Sequence, residues 1–399
     1  MNAIKLIVTC TFGLEAVVKR ELNDLGFHDL VVADGKIEFD AALADIARLN
    51  VNLRAADRVL FKVAEFPATD FGQLFDRTKA LSWESWIIPE AMITVTGKSV
   101  RSILASVRSA QSLVKKAILD HLSAALSVEV FPESGPEFSI QVAILKDVVQ
   151  LTLDTTGPGL HRRGYRQHAG EAPLRENIAA ALVMLTFWEK DRLLVDPMCG
   201  AGTILIEAAM IARRMAPGRK RSFAAEAWPF VPADLWGTAR SAAEAAVLPA
   251  GGLKIQGYDI DPGAVKDAKV NAEAAGVGGD IVFEQKDIKD LWIDKQFGIV
   301  ISNPPYGDRL ASLKELTPLY VNIHKMFKSK TGWSLYILTG DVRFPDFFKR
   351  GKPDRVRKLF NGNIEVNYYQ YHGERPPRKA DRAPSAAAPA EGGSEEVSA

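Results

Sequence analysis

One short segment combines residue types that can bind and orient a flat, amine-bearing ring. Residues 300–306 read VISNPPY, so a buried-looking apolar run ends in an amide, two prolines and a phenol. The Asn303 side-chain oxygen and the Pro304 carbonyl can accept the two N–H groups of an amine, and Tyr306 can stack on the ring. Because proline fixes φ, Pro304 and Pro305 would make this loop rigid. The segment therefore predicts a site that orients an aromatic amine.

The chemistry that such a loop can support is positioning of a weak nucleophile. The lone pair of an amine on an aromatic ring is delocalised, so its direction toward an electrophilic carbon matters more than a strong base. Asn-Pro is also common in ordinary turns at the ends of strands. The binding interpretation is favoured because a second motif upstream predicts a cofactor turn.

This second motif is VDPMCGAGTILIE, residues 195–207, in which a strand leads through a glycine-rich turn into a helix. Gly200 and Gly202 have no Cβ, which predicts that backbone N–H groups approach a ligand closely there. Strand–turn–helix units of this kind form the binding crevice of open α/β sheets. Leu205 stands where a dinucleotide fingerprint would need a third glycine.

Three acids end successive apolar runs, at Asp196, Asp259 and Asp287. Acids lining one crevice suit a ligand with a ribose, an amino group and a cationic centre, and they would repel a pyrophosphate. S-adenosylmethionine (SAM) fits this pattern. Asp259 would accept the ribose hydroxyls, with Asp261 as a competing candidate, Asp287 would accept the adenine amine, and Asp196 would face the methionine end.

Neighbours of these acids and glycines complete the predicted cofactor site. Cys199 lies in the turn with no histidine nearby to activate it, so we expect a wall residue and not a nucleophile. The predicted cofactor-binding residues are Asp196, Pro197, Cys199, Gly200, Gly202, Thr203, Asp259, Ile260, Asp287 and Ile288.

The elements that position these motifs alternate along the C-terminal half. Apolar runs that predict strands alternate with segments of helical periodicity, which indicates a mostly parallel, doubly wound sheet. The N-terminal half mixes strands with amphipathic helices and predicts two small α+β layers. The strand-like segments of the C-terminal half are LLVDP, LKIQGYDID, DIVFEQKD, FGIVISNPPY, WSLYILTG and NIEVNYYQYH.

The chain has 50 basic and 49 acidic side chains and a net charge of +1. Any basic surface must therefore be confined to part of the molecule. The linker segment HRRGYR predicts an RNA contact through Arg162, Arg163, Tyr165 and Arg166. An insert that follows the glycine-rich helix, residues 213–236, adds basic and aromatic residues. That insert is equally consistent with base stacking and with a surface loop over a hydrophobic cluster.

The two cysteines are far apart and form no CxxC pair, so we expect no zinc or other metal site and a reducing compartment. No apolar run reaches the ~18 residues that a membrane span needs. We therefore expect a cytoplasmic protein. The Pro-, Ala- and Ser-rich residues 374–399 predict a disordered tail.

The motifs resemble a known family. DPMCGAGT and SNPPYGDRL resemble the amino-methylating class I SAM-dependent methyltransferases. TCTFGLEAVVKREL and GLHRRGYRQHAGEAPLRENIAAALV resemble the THUMP-domain RNA methyltransferases, in particular the large-subunit ribosomal RNA guanine-N2 branch.

This resemblance implies an α/β fold with a Rossmann-like, seven-stranded SAM-dependent methyltransferase domain behind an α+β RNA-binding region. The implied domains are ferredoxin-like (1–65), THUMP (66–158) and methyltransferase (159–373). It also implies methyl transfer from SAM to the N2 amine of a guanine in RNA, most readily 23S ribosomal RNA. The implied catalytic residues are Asn303, Pro304, Pro305 and Tyr306.

Three alternatives remain open at this point. The same loop would serve a tRNA guanine-N2 or an adenine-N6 methyltransferase. A catalytically inactive RNA-binding module is the third, although intact Gly200, Gly202 and Asn303 count against it. The sequence does not predict the oligomeric state.

Overall fold

The computed structural model describes residues 3–167, 174–293, 295–305, 313–362 and 364–376. Tyr306 and most of the predicted tail lie outside the described residues.

The N-terminal half forms one seven-stranded sheet with order β2-β3-β1-β4-β7-β6-β5. Its strands are β1 (Ile4–Cys10), β2 (Val31–Ala33), β3 (Lys36–Ala41), β4 (Ala56–Pro67), β5 (Met92–Val100), β6 (Glu137–Leu145) and β7 (Val148–Asp154). Its helices are α1 (Glu15–Asp24), α2 (Ala44–Asn52), α3 (Phe71–Lys79), α4 (Val107–Leu126) and the short 3₁₀ turn Trp83–Ser85.

The two small α+β layers expected in this half share one sheet, because β4 joins them. This strand is 12 residues long and pairs with β1 on one side and β7 on the other. It runs across the predicted boundary between residues 65 and 66, which stays a prediction. A strand buried between two neighbours makes one continuous sheet from two sequence modules.

The C-terminal half forms a second seven-stranded sheet with order β10-β9-β8-β11-β12-β14-β13. Its strands are β8 (Leu193–Asp196), β9 (Ile255–Asp259), β10 (Ile281–Gln285), β11 (Gly298–Ser302), β12 (Trp333–Thr339), β13 (Arg355–Asn361) and β14 (Ile364–Tyr371). Its helices are α5 (Glu176–Met184), α6 (Thr203–Ala212), α7 (Ala233–Ala245), α8 (Pro262–Ala275), α9 (Leu313–Phe327) and α10 (Phe344–Phe348), and 3₁₀ turns occupy Ala224–Ala227, Gly278–Asp280 and Ile288–Asp290.

Strand order in this sheet explains where the motifs meet. The strands β10, β9, β8, β11 and β12 are parallel, whereas β14 pairs antiparallel with both β12 and β13. The chain order reverses between β8 and β11, and ligands of doubly wound sheets bind outside the carboxyl ends of strands at such a point. The predicted α/β fold with a seven-stranded domain is confirmed.

The basic and aromatic insert packs the two halves together. The Trp228 ring stacks on Phe138 of β6 at 4.8 Å between centroids, and its Nε1 donates to the Glu137 carbonyl at 3.0 Å. The centroid of the Phe230 ring lies 6.0 Å from that of the Phe61 ring in β4. Trp228 is 1% exposed, so this ring has no face left for a base. Of the two interpretations of the insert, the hydrophobic cluster is the one its aromatic residues support.

Candidate active site

A cavity of about 390 Å³ lies at the carboxyl ends of β8, β9 and β11 and beside the end of β10. It brings together most of the residues that the two motifs predicted, although their roles stay predictions. The predicted residues that line it are Asp196, Pro197, Cys199, Gly200, Thr203, Asp259, Ile260, Asp287, Ile288, Asn303 and Pro305.

Some predicted residues do not line the cavity, and some lining residues were missed. Gly202 and Pro304 are absent from the cavity wall, and Tyr306 lies outside the described residues. Most of the missed residues lie within or beside the predicted motifs, at positions 198, 201, 204 and 286, whereas Leu174 and Leu319 are brought to the cavity only by tertiary packing. The missed residues are Leu174, Met198, Ala201, Ile204, Lys286 and Leu319.

The glycine-rich turn uses its backbone donors inside the protein. The Gly200 N–H donates to Asp259 Oδ2 at 2.8 Å, and the Gly202 N–H donates to the Cys199 carbonyl at 2.9 Å. The N–H groups of these two glycines therefore already have acceptors within the protein, and the close approach of a ligand to the backbone of this turn stays a prediction. Gly202 has φ +80°, and a Cβ there would lie 3.0 Å from the Ala268 Cβ and the Phe283 ring. Glycine at 202 is needed to pack the turn onto the sheet.

Asp259 is the better placed of the two candidates for the ribose. Its Oδ2 holds the Gly200 N–H, its Oδ1 accepts from the Asp261 N–H at 3.1 Å, and it lines the cavity. Asp261 is exposed, and its Oδ1 accepts from the Gly263 N–H at 2.8 Å as the N-cap of α8. The geometry thus favours Asp259 for the cavity and gives Asp261 a capping role.

Asp196 connects the glycine-rich turn to the last residue of β11. It is 2% exposed, and its Oδ1 accepts from the Ser302 Oγ at 2.7 Å and from the Met198 N–H at 3.1 Å. Burial raises the pKa of this carboxyl to about 7, although the Ser302 hydrogen bond lowers the pKa. Ser302 was not singled out by sequence reasoning, yet it joins the two halves of the site through one buried contact.

This carboxyl predicts a pH dependence of SAM binding. Below pH 7 Asp196 is increasingly protonated and attracts a cationic ligand less, so SAM affinity should rise about tenfold between pH 6 and pH 8. Calorimetric titrations at pH 6, 7 and 8 measure this change. Asp196→Asn should make SAM affinity nearly independent of pH in this range. Ser302→Ala should move the midpoint of the pH profile to higher pH, because it removes a hydrogen bond that stabilises the ionised carboxylate. A profile unchanged by Asp196→Asn would contradict the assignment.

Asp287 caps the 3₁₀ turn after β10 and stays ionised. Its Oδ1 accepts from the Lys289 N–H at 3.0 Å, and its Oδ2 pairs with Lys289 Nζ at 3.0 Å. The Lys289 backbone hydrogen bond lowers the pKa of Asp287. An ionised carboxylate at the cavity wall remains able to accept from an amine.

Asn303 presents an unused acceptor. Its side-chain Oδ1 is buried and has no hydrogen-bond partner among the described residues. A buried acceptor without a donor costs free energy, and such atoms in native proteins usually await a ligand or water. The three carboxylates are suited to binding SAM, and this amide oxygen is suited to binding a neighbouring amine that would receive the methyl group.

The surroundings of Cys199 are those expected of a residue in the cavity wall. Its side chain lies in the cavity wall and is buried. Burial raises the pKa of the thiol well above its ordinary value, and the nearby Asp196 raises it further. A protonated thiol is a poor nucleophile, so the structure gives no support to covalent catalysis.

The RNA-contact prediction for the linker is wrong for Arg163 and Tyr165, because both are 5% exposed. The Tyr165 hydroxyl donates to Glu207 Oε1 of α6 at 3.0 Å, and Arg163 Nε lies 3.5 Å from the same carboxylate oxygen. Arg166 is half-buried, and its Nη2 donates to the Leu174 carbonyl at 2.7 Å. Arg162 is exposed, and its RNA contact stays a prediction.

Within the described ranges of the chain, neither a set of metal ligands nor a membrane-spanning helix is present. No cluster of three or more His, Cys, Asp or Glu side chains in those ranges is arranged to hold a metal ion. No helix in the same ranges has both the length and the apolar character to cross a membrane.

Comparisons with known proteins identify three domains along this chain. Residues 163–370 match the RMKL-like methyltransferase domain, residues 5–60 the RlmL ferredoxin-like domain and residues 68–154 the THUMP domain. The chain is 44% identical over 382 residues to the Bacillus subtilis (strain 168) protein named "Putative RNA methyltransferase YpsC", covering 95% of this chain and 99% of that protein.

Two further comparisons bear on the cofactor and on the extent of the chain. The chain is 33% identical over 390 residues to Ribosomal RNA large subunit methyltransferase K/L of Syntrophotalea carbinolica (strain DSM 2380 / NBRC 103641 / GraBd1), covering 92% of this chain and 53% of that protein. The crystal structure of SMU.472 complexed with SAH, the product of methyl transfer from SAM, is 40% identical with a TM-score of 0.88, covering 94% of this chain and 100% of that one. The chain therefore belongs to the family of RMKL-like methyltransferases, with SAM as cofactor and with a RlmL ferredoxin-like domain and a THUMP domain ahead of the methyltransferase domain.

Proposed function

We propose that this protein transfers the methyl group of SAM to the exocyclic N2 amine of a guanine in large-subunit ribosomal RNA. The observation that carries the proposal is the buried Asn303 Oδ1, which has no hydrogen-bond partner among the described residues and lines the same cavity as three carboxylates. An amide oxygen without a donor is what an incoming exocyclic amine would satisfy.

The acids would hold the cofactor, and bound SAM supplies an electrophilic methyl group on a sulfonium. Asp259 accepts hydroxyl protons with oxygens already oriented by the Gly200 and Asp261 N–H groups. Asp287 accepts from an amine, and Asp196 attracts the cationic methionine end once it is ionised.

The loop after β11 would hold the base. Asn303 Oδ1 and the Pro304 carbonyl accept the two N–H groups of the amine, so its lone pair is directed at the methyl carbon. As the N–C bond forms, the S–C bond of the sulfonium would break and S-adenosylhomocysteine would leave as a neutral thioether, while these acceptors stabilise the positive charge that develops on the nitrogen. The methylated amine would then lose one proton to solvent, so no strong general base is required. Stacking by Tyr306, which lies outside the described residues, remains part of the proposal.

The choice of RNA as substrate is supported by the THUMP match over residues 68–154 and by the names of the relatives. The aligned region spans 53% of the K/L relative, so that protein is about twice as long as this chain. The substrate in its name supports the proposal for this chain but does not demonstrate it. The alternatives with the same loop are tRNA guanine-N2 and adenine-N6 methylation.

One experiment separates these products. Large-subunit RNA and tRNA from a strain lacking the protein are incubated with the full chain and SAM, and the nucleosides are analysed by mass spectrometry. We expect N2-methylguanosine in large-subunit RNA. N6-methyladenosine, or methylation confined to tRNA, would contradict the proposal. No methyl transfer to any RNA would favour the binding module.

A further inference from the structure

Arginines surround the loop that joins the two halves of the chain, residues 157–163. Arg58 of β4 donates to the Gly157 carbonyl, and Arg221 of the insert donates to the Pro158 carbonyl. Arg221 also donates to the Gly159 carbonyl at 2.8 Å and to the Arg162 carbonyl at 2.9 Å. Because its partners are carbonyl groups, the charge of Arg221 remains uncompensated by any of these contacts.

Several arginines around this loop have no acidic partner. Arg58 pairs with Asp154, but Arg162, Arg175 and Arg221 have no carboxylate within 4.0 Å in the described part of the chain. Other acids of this region already have partners: Asp57 accepts from Asn177 Nδ2 at 2.8 Å, Glu176 lies 3.7 Å from Arg166, and Glu207 lies 3.5 Å from Arg163.

His161 lies among these arginines and adds no positive charge. Burial and the neighbouring Arg175 lower the pKa of His161 to about 4, so the ring is neutral at pH 7. Arg221 experiences the same field, because burial and the nearby Arg163 and Arg58 lower its pKa to about 10. Because neighbouring cations repel one another, binding an anion between them lowers the electrostatic free energy of the cluster.

The position of this cluster connects it to the candidate active site. Leu174 lines the cavity, and Arg175 is the next residue, at the start of α5. The Leu174 carbonyl is held by Arg166 Nη2 at 2.7 Å, which fixes the backbone beside Arg175. On the other side, Arg58 belongs to β4 of the N-terminal sheet. The cluster therefore lies between the sheet that carries the THUMP match and the cavity.

From this placement we infer that Arg162 and Arg175 bind backbone phosphodiesters of the RNA strand whose target base enters the cavity. This inference rests on the proposed function and names where that substrate is held. Guanidinium groups match phosphate oxygens in a bidentate geometry, and phosphate contacts set register without reading sequence. Arg58 and Arg221 hold the loop in shape and contribute charge.

The test measures RNA affinity as a function of salt with the full chain. Arg162→Gln, Arg175→Gln and the double variant are compared with Lys269→Gln, which removes an exposed cation from α8 far along the sequence. The probe is a fluorescently labelled fragment of large-subunit RNA that the wild type binds, observed by fluorescence anisotropy. SAM affinity is measured in parallel by calorimetry.

Each single change should weaken RNA binding about three- to tenfold and lower the slope of log affinity against log salt by about 0.7. The double variant should lose about twice that slope, with SAM affinity unchanged and Lys269→Gln like the wild type. A double variant with wild-type RNA affinity and slope overturns the inference, and so does an equal loss of SAM affinity. If the wild type binds RNA but transfers no methyl group, the proposed function fails while the salt slopes still decide this inference.

Discussion

Replacing Asn303 with alanine is expected to lower the rate of methyl transfer about 10²- to 10³-fold while SAM affinity stays within about twofold. The variant removes a buried Oδ1 that has no partner within the described ranges and so relieves a desolvation cost, which should leave the protein as stable as the wild type or slightly more so. Single-turnover rates with saturating RNA and SAM measure the loss. Calorimetric SAM titration and thermal unfolding complete the comparison.

Asn52→Ala is the matched control, because this residue lies in α2 and its Nδ2 donates to the Arg48 carbonyl one turn earlier. It should transfer methyl groups at the wild-type rate. Unchanged turnover in Asn303→Ala would remove Asn303 from the mechanism and with it the main support for amine methylation.

Replacing Asp259 with alanine is expected to weaken SAM binding about 100-fold, the effect of losing charged hydrogen bonds to a ligand. The same change leaves the Gly200 and Asp261 N–H groups without their acceptor, so the glycine-rich turn should also become less stable. Equilibrium SAM binding and thermal unfolding measure the two effects separately. Asp259→Asn keeps one acceptor oxygen and should fall between the wild type and Asp259→Ala.

Asp261→Ala distinguishes the two acids. Asp261 is exposed and caps α8 through the Gly263 N–H, so its loss should cost about 1 kcal/mol of stability and little SAM affinity. A larger loss of SAM affinity in Asp261→Ala than in Asp259→Ala would transfer the ribose role to Asp261.

The placement of the cofactor motif and the base motif together was predictable from local patterns. Apolar runs alternating with helices indicate a parallel sheet, and the ends of parallel strands share one edge. Asp196, Asp259 and Asn303 each directly follow or end such a run, at β8, β9 and β11. Their meeting in one cavity also requires that β8, β9 and β11 be neighbours, and this strand order came from the structure.

Contacts between distant segments were decided only by the tertiary structure. Ser302 reaches Asp196 across 106 residues, and Tyr165 reaches Glu207 across 42, with no periodic pattern linking either pair. The basic linker predicted an RNA surface, but Arg163 and Tyr165 turn inward because α6 places a buried carboxylate beneath them. The sequence by itself determined which segments are strands, helices and rigid turns, since these depend on short-range periodicity and backbone restriction. Whether a charged side chain faces solvent or a partner depends on how whole elements pack, and this free energy arises only once the chain is folded.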